Sequence, residues 1–473
     1  MISISYFLPE IFMAIMGFVI LALGLKVKSA LVLSALTFIT LLIGAILVYV
    51  TPHNNEIYGL TINSFGTYFA LIMIIASLFV VFPSSRAMKS RTEIFYALLI
   101  FVTIGMIFVA LTWNLIVMFV SFETVSIGTY VLSAFGGKRR NLEATIKYFF
   151  TGAISTTFTV FGIAFFFFSM HTFTLTTVMN ASIYVHSKPA MLLALFFLLI
   201  GFGFKLAIFP MHQWAIDAYD GTENSVSAFL STGTKIVAFV AILKIFLVGF
   251  SPYDAPVYYF FTVLAILTMT YANVAALSQN NVKRLLAYSS VAQAGYLILV
   301  PSIIAFIGVK TGNPNVVDLA VAAGMFYALV YIFMKGGAFL AMNMVNKDNV
   351  TFDDIAGLGK KSPYVAVSFS ILLLSLAGIP LTGGFLAKYF LFLSVIESGL
   401  WWLAIIAILN SAISVFYYMK VMRYLFWVEP KGDFSKDYVN RAAVIISAVI
   451  VVFLGVFYLI LPTLESISIG IIG

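Results

Sequence analysis

Four lysines lie in the middle of long apolar stretches, where a charged side chain needs an explanation: Lys205, Lys235, Lys335 and Lys388. On insertion scales, a lysine at the centre of a membrane helix carries an unfavourable insertion free energy of about 2.5–3.5 kcal/mol. The four lysines together therefore oppose insertion by about 10–14 kcal/mol. Glu123 is the one acid deep within such a stretch, and one carboxylate cannot neutralise four ammonium groups. The surplus lysines must face hydrated cavities, share hydrogen-bonded networks or lose their protons. Such amines are suited to exchanging protons.

Each lysine also has a structural explanation. A lysine can hold helices together through hydrogen bonds, or extend its ammonium group to the membrane interface. For Lys335, the structural role and the proton-exchanging role are equally consistent with the sequence. Lys244 lies near the end of its apolar stretch, which favours the structural role for it. The candidate proton-translocating residues are Glu123, Lys205, Lys235 and Lys388, with Lys335 as an accessory candidate.

The composition requires a membrane around these residues. Of 473 residues, 62% are hydrophobic and 9% are charged, whereas roughly 25% of the residues of an ordinary soluble domain are charged. A water-soluble globule is ruled out, because so few ionisable side chains cannot cover its surface. We expect a single polytopic membrane domain over residues 1–473, with an all-α fold.

About fourteen apolar runs are long enough to cross a bilayer core of about 30 Å as helices. Charged residues, Pro, Gly or Asn bound these runs. The approximate spans are 6–24, 29–50, 63–82, 94–111, 113–135, 145–169, 190–209, 225–249, 256–277, 284–304, 317–344, 364–392, 400–427 and 441–462.

Glycines and prolines interrupt two of these runs beside a lysine. Lys205 precedes Pro210 and Lys388 follows Pro380, so the order of lysine and proline is reversed. Discontinuous helices form ion sites in transporters, and reversed order is typical of inverted repeats; Pro and Gly are also common in ordinary membrane helices. We predict discontinuous helices near 205–210 and 378–388, and two inverted five-helix repeats over 94–249 and 256–427, flanked by helices in 1–82 and 441–473.

Basic residues predict the orientation of the chain. Lys26 and Lys28 follow the first run, so the positive-inside rule places the first loop in the cytoplasm and the N-terminus outside. Most of the 26 basic residues then lie at the cytoplasmic side, and an even number of spans returns the C-terminus outside. The net charge of +8 thus reflects membrane topology, and we expect no nucleic-acid partner.

The sequence contains no cysteine and four histidines, His53, His171, His186 and His212. Thiolate metal sites and iron–sulfur clusters are excluded, and a pair of haem ligands inside the bilayer is not expected. The sequence has no Rossmann glycine pattern and no P-loop. We therefore expect neither a metal nor a cofactor in this chain. His212 is a candidate for proton relay, with an ordinary hydrogen-bonded interfacial histidine as the alternative.

Several motifs appear in an order typical of one membrane-protein family. They are Phe119–Glu123, Glu143–Ala153, Lys205–Gly221, Ala228–Lys235, Asn281–Val291 and Leu374–Lys388. Through these motifs the chain resembles the antiporter-like, proton-translocating membrane subunits of respiratory complex I, most of all subunit N. The resemblance covers roughly residues 90–430.

The resemblance implies fourteen helices with two inverted five-helix repeats and a central hydrophilic axis. It also implies that Glu123 pairs with Lys205. Lys235 is expected to connect through water to Lys388, at the exit side.

Some residues depart from the pattern of subunit N, among them Glu223 and Ser225, which replace prolines expected after Gly221. Gln293 stands where the family usually has a histidine, and because glutamine cannot change its charge, water would bridge this point. A lysine at the position of Lys335 is more typical of the L and M subunits and of cation antiporters than of subunit N. Gln293 and Lys335 belong to an accessory proton path in this interpretation, together with His212.

The resemblance implies a proton-translocating subunit of a complex-I-like donor:quinone oxidoreductase in a prokaryotic cytoplasmic membrane. Flavin, iron–sulfur clusters and quinone are expected in partner subunits, among them K-like and M-like membrane neighbours. The main alternative is a subunit of a multisubunit cation/proton antiporter or of a membrane-bound hydrogenase. A stand-alone transporter of anionic solutes and a structural scaffold are further alternatives.

Overall fold

The computed structural model describes residues 4–51, 55–57, 60–88, 91–176, 185–250, 254–310, 313–345, 347, 349–431, 434–456 and 460–468. His53, one of the four histidines, lies outside this part of the chain. The described part is almost entirely helical, with one short antiparallel hairpin formed by β1 (Asn55–Ile57) and β2 (Leu60–Ile62).

The helices, in chain order, are α1 (Leu8–Gly24), α2 (Ala30–Val50), α3 (Ser64–Ala87), α4 (Thr92–Leu111), α5 (Leu115–Ser133), α6 (Arg139–Met170), α7 (Lys188–Leu206), α8 (Gln213–Gly221), α9 (Asn224–Lys244), α10 (Asp254–Leu277), α11 (Val282–Leu297), α12 (Leu299–Lys310), α13 (Pro314–Ala341), α14 (Phe352–Ile355), α15 (Leu358–Lys361), α16 (Pro363–Ala377), α17 (Gly383–Glu397), α18 (Trp401–Trp427), α19 (Tyr438–Val456) and α20 (Ile460–Ser468).

Twelve candidate membrane spans are present among the described residues, and α1 and α16 are shorter apolar helices. Each predicted run overlaps one of these fourteen elements, and the run over 364–392 extends beyond α16 into α17. The all-α membrane fold with about fourteen spans is confirmed. The chain is a multi-pass membrane protein. Helices suit this environment because they satisfy their backbone hydrogen bonds internally.

The helices form two compact units. The first comprises Met1–Lys205 and Gly233–Ser251, and the second comprises Leu206–Thr232 and Pro252–Ile469. In the first unit, α4 packs against α1, α3 and α5. In the second unit, α13 packs against α17 and α19, and α10 packs against α11. The boundaries of the two inverted repeats stay a prediction.

Asparagine side chains fix where some of the helices begin. The Asn63 side chain accepts a hydrogen bond from the backbone N–H of Gly66 at 2.8 Å, and Asn114 accepts one from Ile116 at 2.9 Å. The first N–H groups of a helix have no partner within it, so such caps satisfy them. Asn114 thereby separates α5 from α4.

The first predicted helix break follows Lys205. Helix α7 ends at Leu206, and the next residue, Ala207, has a φ of 62°. A positive φ cannot continue a right-handed helix. For this reason the run predicted over 190–209 ends before Pro210, and α8 begins only at Gln213.

The second predicted break precedes Lys388 and divides the run predicted over 364–392. Helix α16 ends at Ala377, and Gly378 has a φ of 85°. Glycine takes this conformation readily at the end of a helix. Helix α17 then begins at Gly383, with Thr382 as its cap.

A capping box orders the connection before α16. The Asp354 carboxylate accepts hydrogen bonds from the backbone N–H of Thr351 at 2.9 Å and from its hydroxyl at 2.6 Å. It also accepts one from Lys347 Nζ. Burial by itself would raise the pKa of Asp354, but the hydrogen bonds from Lys347 and Thr351 outweigh it and hold the pKa below its usual value.

Asp354 is the N3 residue of this box, and we expect Asp354→Asn to lower the free energy of unfolding at pH 7 by about 0.5–1.5 kcal/mol, the usual net contribution of one hydrogen bond. Because the folded-state pKa is depressed, this stabilisation is complete above the unfolded pKa of about 3.9 and is lost as the pH falls through the folded-state pKa. Thermal unfolding of the purified protein between pH 7 and pH 3 measures this. The wild type should approach the variant at the acidic end.

Asp353→Asn is the matched control for this experiment. Asp353 lies 3.6 Å from Lys431 Nζ, and the two side chains are 61% and 62% exposed. An exposed ion pair of this kind contributes little to stability. An equal, equally pH-dependent loss in both variants would contradict the role assigned to Asp354.

Candidate functional site

Lys205 lies at the end of α7 and is 1% exposed. Its Nζ donates hydrogen bonds to the hydroxyl groups of Tyr148 at 2.6 Å, Thr129 at 3.2 Å and Ser126 at 3.3 Å. Nζ also lies 5.1 Å from the ring centroid of Tyr130 and 4.9 Å from that of Tyr148. Three hydroxyl groups and two aromatic faces therefore replace the water around this amine.

Glu123 lies on α5, three residues before Ser126, and is half-buried. Its Oε1 accepts a hydrogen bond from the Thr156 hydroxyl at 2.9 Å. Residues three apart on a helix share a face, so Glu123 lies along the same side of α5 as the partners of Lys205. Among the described residues, no ion pair joins Glu123 directly to Lys205. Glu123 instead binds a hydroxyl of α6, whereas Lys205 binds hydroxyls of both α5 and α6.

Lys235 lies in α9 and is fully buried. The whole membrane-spanning window of this helix is buried, unlike the windows of most other spans. Ser231 precedes Lys235 by one helical turn on the same face and is also fully buried. Helix α9 therefore carries an amine and a hydroxyl along one side, away from lipid.

Lys388 lies on α17 and is 4% exposed. Its Nζ donates to the backbone carbonyls of Leu376 at 2.9 Å and Ala377 at 3.2 Å, and to the Ser411 hydroxyl at 2.9 Å. The Tyr296 ring centroid is 4.8 Å away. The last carbonyls of a helix have no intrahelical partner. The break after α16 thus supplies two of the acceptors that this buried amine needs.

A cavity of about 460 Å³ adjoins Lys388 between the end of α16, α17 and α18. Its walls include Phe385, Phe392 and Ile408, with Ser411 beside the amine. The cavity is mainly apolar, and Lys388 and Ser411 supply polar groups in its wall.

Gln293 lies on α11 and is 1% exposed. Its Nε2 donates to the Leu376 carbonyl at 3.1 Å, and its Oε1 accepts from the Tyr327 hydroxyl. The Leu376 carbonyl also accepts from Lys388 at 2.9 Å. Gln293 therefore shares an acceptor with Lys388.

Lys335 lies on α13 and is fully buried. Its Nζ donates to the Leu286 carbonyl at 3.1 Å and to the Ser289 hydroxyl. Both acceptors belong to α11, the helix that carries Gln293. In the second unit, α11 thus joins the surroundings of Lys335 to those of Lys388.

His212 is buried among aromatic rings. Its ring centroid lies 5.7 Å from that of Phe209 and 4.8 Å from that of Tyr271. It stands immediately before α8. This packing places the histidine in the segment that follows the first break, and its role in proton relay stays a prediction.

The contacts of Lys244 agree with the structural role expected for it, in which the lysine holds helices together. Its Nζ donates to the backbone carbonyls of Val109 at 3.3 Å, Ala110 and Thr112 at 3.1 Å, and lies 4.7 Å from the Trp113 ring centroid. These carbonyls end α4, where intrahelical partners are missing. Lys244 therefore caps α4.

The sequence interpretation missed the hydroxyl partners of the lysines. Tyr148 and Thr156 lie on α6, and Thr129 on α5, and each hydroxyl-bearing residue is common in membrane helices. Ser126 and Thr129 do follow Glu123 at intervals of three, which is a helical-face signal. Among the described residues, no group of three His, Asp or Glu side chains is close enough to hold a metal ion.

The family model described as NADH:quinone oxidoreductase/Mrp antiporter, transmembrane, matches residues 112–414. The F(420)H(2) dehydrogenase subunit N of Methanosarcina mazei is 34% identical over 464 residues, 92% of this chain and 91% of the relative. The NADH-quinone oxidoreductase subunit N of Trichlorobacter lovleyi is 34% identical over 467 residues, 95% of this chain and 92% of the relative.

Solved structures share the fold. A chain of respiratory complex I from Thermus thermophilus superposes with a TM-score of 0.83 at 29% identity, covering 96% of this chain and 99% of that one. A chain of the Mrp complex from Dietzia superposes with a TM-score of 0.85, covering 99% and 98% of the two chains, but at 20% identity it supports the fold alone.

Replacing Tyr148 by Phe should slow proton uptake through Lys205, because it removes the shortest hydrogen bond of the amine. A hydrogen bond to a charged group contributes about 1.5–3 kcal/mol, so the rate should fall at least about tenfold. Proton uptake by vesicles that contain the complete membrane assembly measures the effect. Tyr130→Phe is the control, since its ring is as near to Nζ but its hydroxyl is not one of the acceptors. Equal rates in both variants would contradict this.

Replacing Gly378 by Ala should displace Lys388. The new Cβ would lie 2.9 Å from Lys388 Cδ, and a positive φ costs an alanine about 1–2 kcal/mol. Gly399 also has a positive φ, but its Cβ would meet nothing within 4 Å. We expect both variants to lose similar stability, and only Gly378→Ala to lose proton uptake several-fold in the same vesicle assay. Similar uptake in the two variants would show that the position of Lys388 does not matter.

Proposed function

Because the chain belongs to the NADH:quinone oxidoreductase/Mrp antiporter transmembrane family, we propose that it is the proton-translocating N-type membrane subunit of a donor:quinone oxidoreductase. Electron transfer takes place in partner subunits, and this chain moves protons outward through a Glu/Lys hydrophilic axis. Two relatives that match most of the chain are both called subunit N, although their names give different electron donors. These long matches support the N-type assignment.

The observation that carries this proposal is the chemistry around Lys205. All three hydrogen-bond acceptors of its Nζ are hydroxyl groups. A hydroxyl accepts a hydrogen bond from an ammonium group and can rotate to donate one to a neutral amine. The same surroundings therefore satisfy Lys205 with and without its extra proton, which a reversible proton carrier requires.

Glu123 supplies the charge that biases this carrier. A nearby carboxylate favours the ammonium form of a lysine, and its withdrawal or neutralisation releases the proton. Glu123 lies on the face of α5 that binds Lys205 through Ser126 and Thr129, yet forms no direct pair with it in the described structure. A small movement of α5 would thus change the attraction without breaking a salt bridge.

Lys235 and Lys388 are the next proton carriers in the proposal. Protons enter from the cytoplasm towards Lys205 and Lys235, and leave outward past Lys388. Lys388 binds two carbonyls and one hydroxyl. The Ser411 hydroxyl donates its own hydrogen to the Ala377 carbonyl at 3.0 Å, so all three partners of Nζ act as acceptors. Three acceptors match the three N–H donors of the ammonium form, and this site holds that form until its environment changes.

Water is the bridge around Gln293. The hydroxyl groups of Tyr296 and Tyr418 are buried in the second unit and have no hydrogen-bond partner among the described residues. Buried polar groups of this kind usually bind ordered water. Such water would carry protons past Gln293, whose amide cannot change its charge.

In this proposal, the other subunits of the assembly supply the redox cofactors. Flavin, iron–sulfur clusters and quinone belong to partner subunits, with K-like and M-like subunits as membrane neighbours. The protein resides in the cytoplasmic membrane with both termini outside. The donor is NADH or another reduced carrier.

A second candidate is a subunit of a cation/proton antiporter or of a membrane-bound hydrogenase. Lys335 favours this candidate, since a lysine at this position is typical of cation antiporters and of L or M subunits. Its hydrogen bonds to Leu286 and Ser289 place it beside the helix of Gln293. Sodium-driven proton uptake without an added quinone would support this candidate.

The test is redox-driven proton pumping in membrane vesicles from Glu123→Gln and Lys205→Ala strains. We expect pumping and electron transfer to fall together by at least about tenfold, which corresponds to about 1.4 kcal/mol in the barrier. Lys431→Ala, at a residue that is 62% exposed in a loop, is the control and should behave like the wild type. Unchanged pumping in the two site variants would overturn the assignment.

A further inference from the structure

Glu10 lies in the first turn of α1 and is 5% exposed. Its Oε2 is buried and has no hydrogen-bond partner among the described residues. Since most buried polar atoms in proteins have a partner, this oxygen needs an explanation. None of the proton carriers proposed above involves it.

A cavity of about 10 Å³ adjoins Glu10. A single water molecule needs about this much space. The wall of the cavity combines two threonines with apolar side chains from α2, β2 and α4, namely Thr51, Thr67, Val48, Ile62 and Leu111. The cavity is therefore large enough for one water and too small for a larger ligand.

No basic residue faces this carboxyl group in the described structure. Tyr6 is the one other titratable side chain in the cavity wall. Helix α2 carries no charged residue, and its Tyr49 is 69% exposed. Glu93 of α4 and Arg86 of α3 lie at the opposite ends of their helices. A carboxylate here would be a buried charge without a counter-ion, which is costly.

The hydroxyl of Thr51 favours a proton on the carboxyl group. Thr51 Oγ1 donates its hydrogen to the Leu47 carbonyl at 2.7 Å. A hydroxyl whose hydrogen is engaged can only accept further hydrogen bonds. It suits a carboxylic acid or a water molecule that donates, and it offers nothing to a carboxylate.

We propose that Glu10 is a proton-binding site, in which a neutral carboxylic acid and one water molecule share the small cavity beside Thr51. Glu10 takes up a proton from water and returns it to water, without a metal or a cofactor. The site lies at the end of α1 that is predicted to face outside, so it exchanges protons with that aqueous phase. It is separate from the lysine carriers, and it does not depend on the direction of pumping.

Infrared difference spectroscopy of the purified membrane assembly in lipid vesicles tests this site. At pH 7 the wild type should show a protonated-carboxyl stretching band that shifts in D₂O and is absent from Glu10→Gln. The amide has the shape of the neutral acid, so this variant should assemble normally. Loss of an ionised-carboxylate band instead, or no change at all, would overturn the proposal.

Two further variants complete the experiment. Glu143→Gln removes a carboxyl group that is 63% exposed and paired with Lys147, and it should leave the protonated band unchanged. Thr51→Val keeps Glu10 but removes the acceptor, so the band should shift in frequency. If Glu10→Gln fails to assemble, an unshifted band in Thr51→Val would still exclude the proposed site.

Discussion

The requirement that a buried ammonium group receive hydrogen-bond acceptors organises much of this structure. An ammonium group has three donors and no acceptor, and lipid offers it nothing. The carbonyls inside a helix already accept one hydrogen bond each, so most acceptors of these amines are side-chain hydroxyls or carbonyls where a helix ends. The Leu286 carbonyl inside α11, which binds Lys335, is an exception. The break after α16 beside Lys388 and the end of α4 beside Lys244 are such helix ends. Helix ends inside the apolar region and buried lysines therefore depend on each other.

The type of acceptor distinguishes the lysines. Lys205 binds hydroxyls alone, Lys388 binds two carbonyls and a hydroxyl, and Lys244 binds carbonyls alone. Hydroxyls can reverse their hydrogen bonds when the amine loses its proton, whereas carbonyls cannot. The hydroxyl-bound lysine is thus the one suited to frequent exchange, and the carbonyl-bound lysine is suited to a fixed cap. Burial alone does not separate these roles, because all three lysines are buried.

The sequence predicted the lysines and the helix breaks, because both have local signals. A charge inside an apolar run is visible without a structure, and Gly378 with Pro380 interrupts a helix by itself. The partners of the lysines could not be predicted in this way. Tyr148 binds an amine 57 residues later in the chain, and nothing local separates its hydroxyl from those of other membrane tyrosines. The resemblance implies a pairing of Glu123 with Lys205, which stays a prediction; in the structure each of the two groups binds its own hydroxyl partners.

Gln293 is a neutral residue within the proposed path of titrating ones. Its amide donates to the Leu376 carbonyl, which Lys388 also uses, and it accepts from Tyr327. A histidine could hold a proton at this point, but a glutamine can only fix the position of its neighbours. Gln293 donates to the Leu376 carbonyl whether or not Lys388 carries its extra proton, so the end of α16 keeps this partner in both states. In the proposed path, glutamine at this position therefore favours a stable break over an additional proton carrier, and the proposal assigns the transfer itself to water.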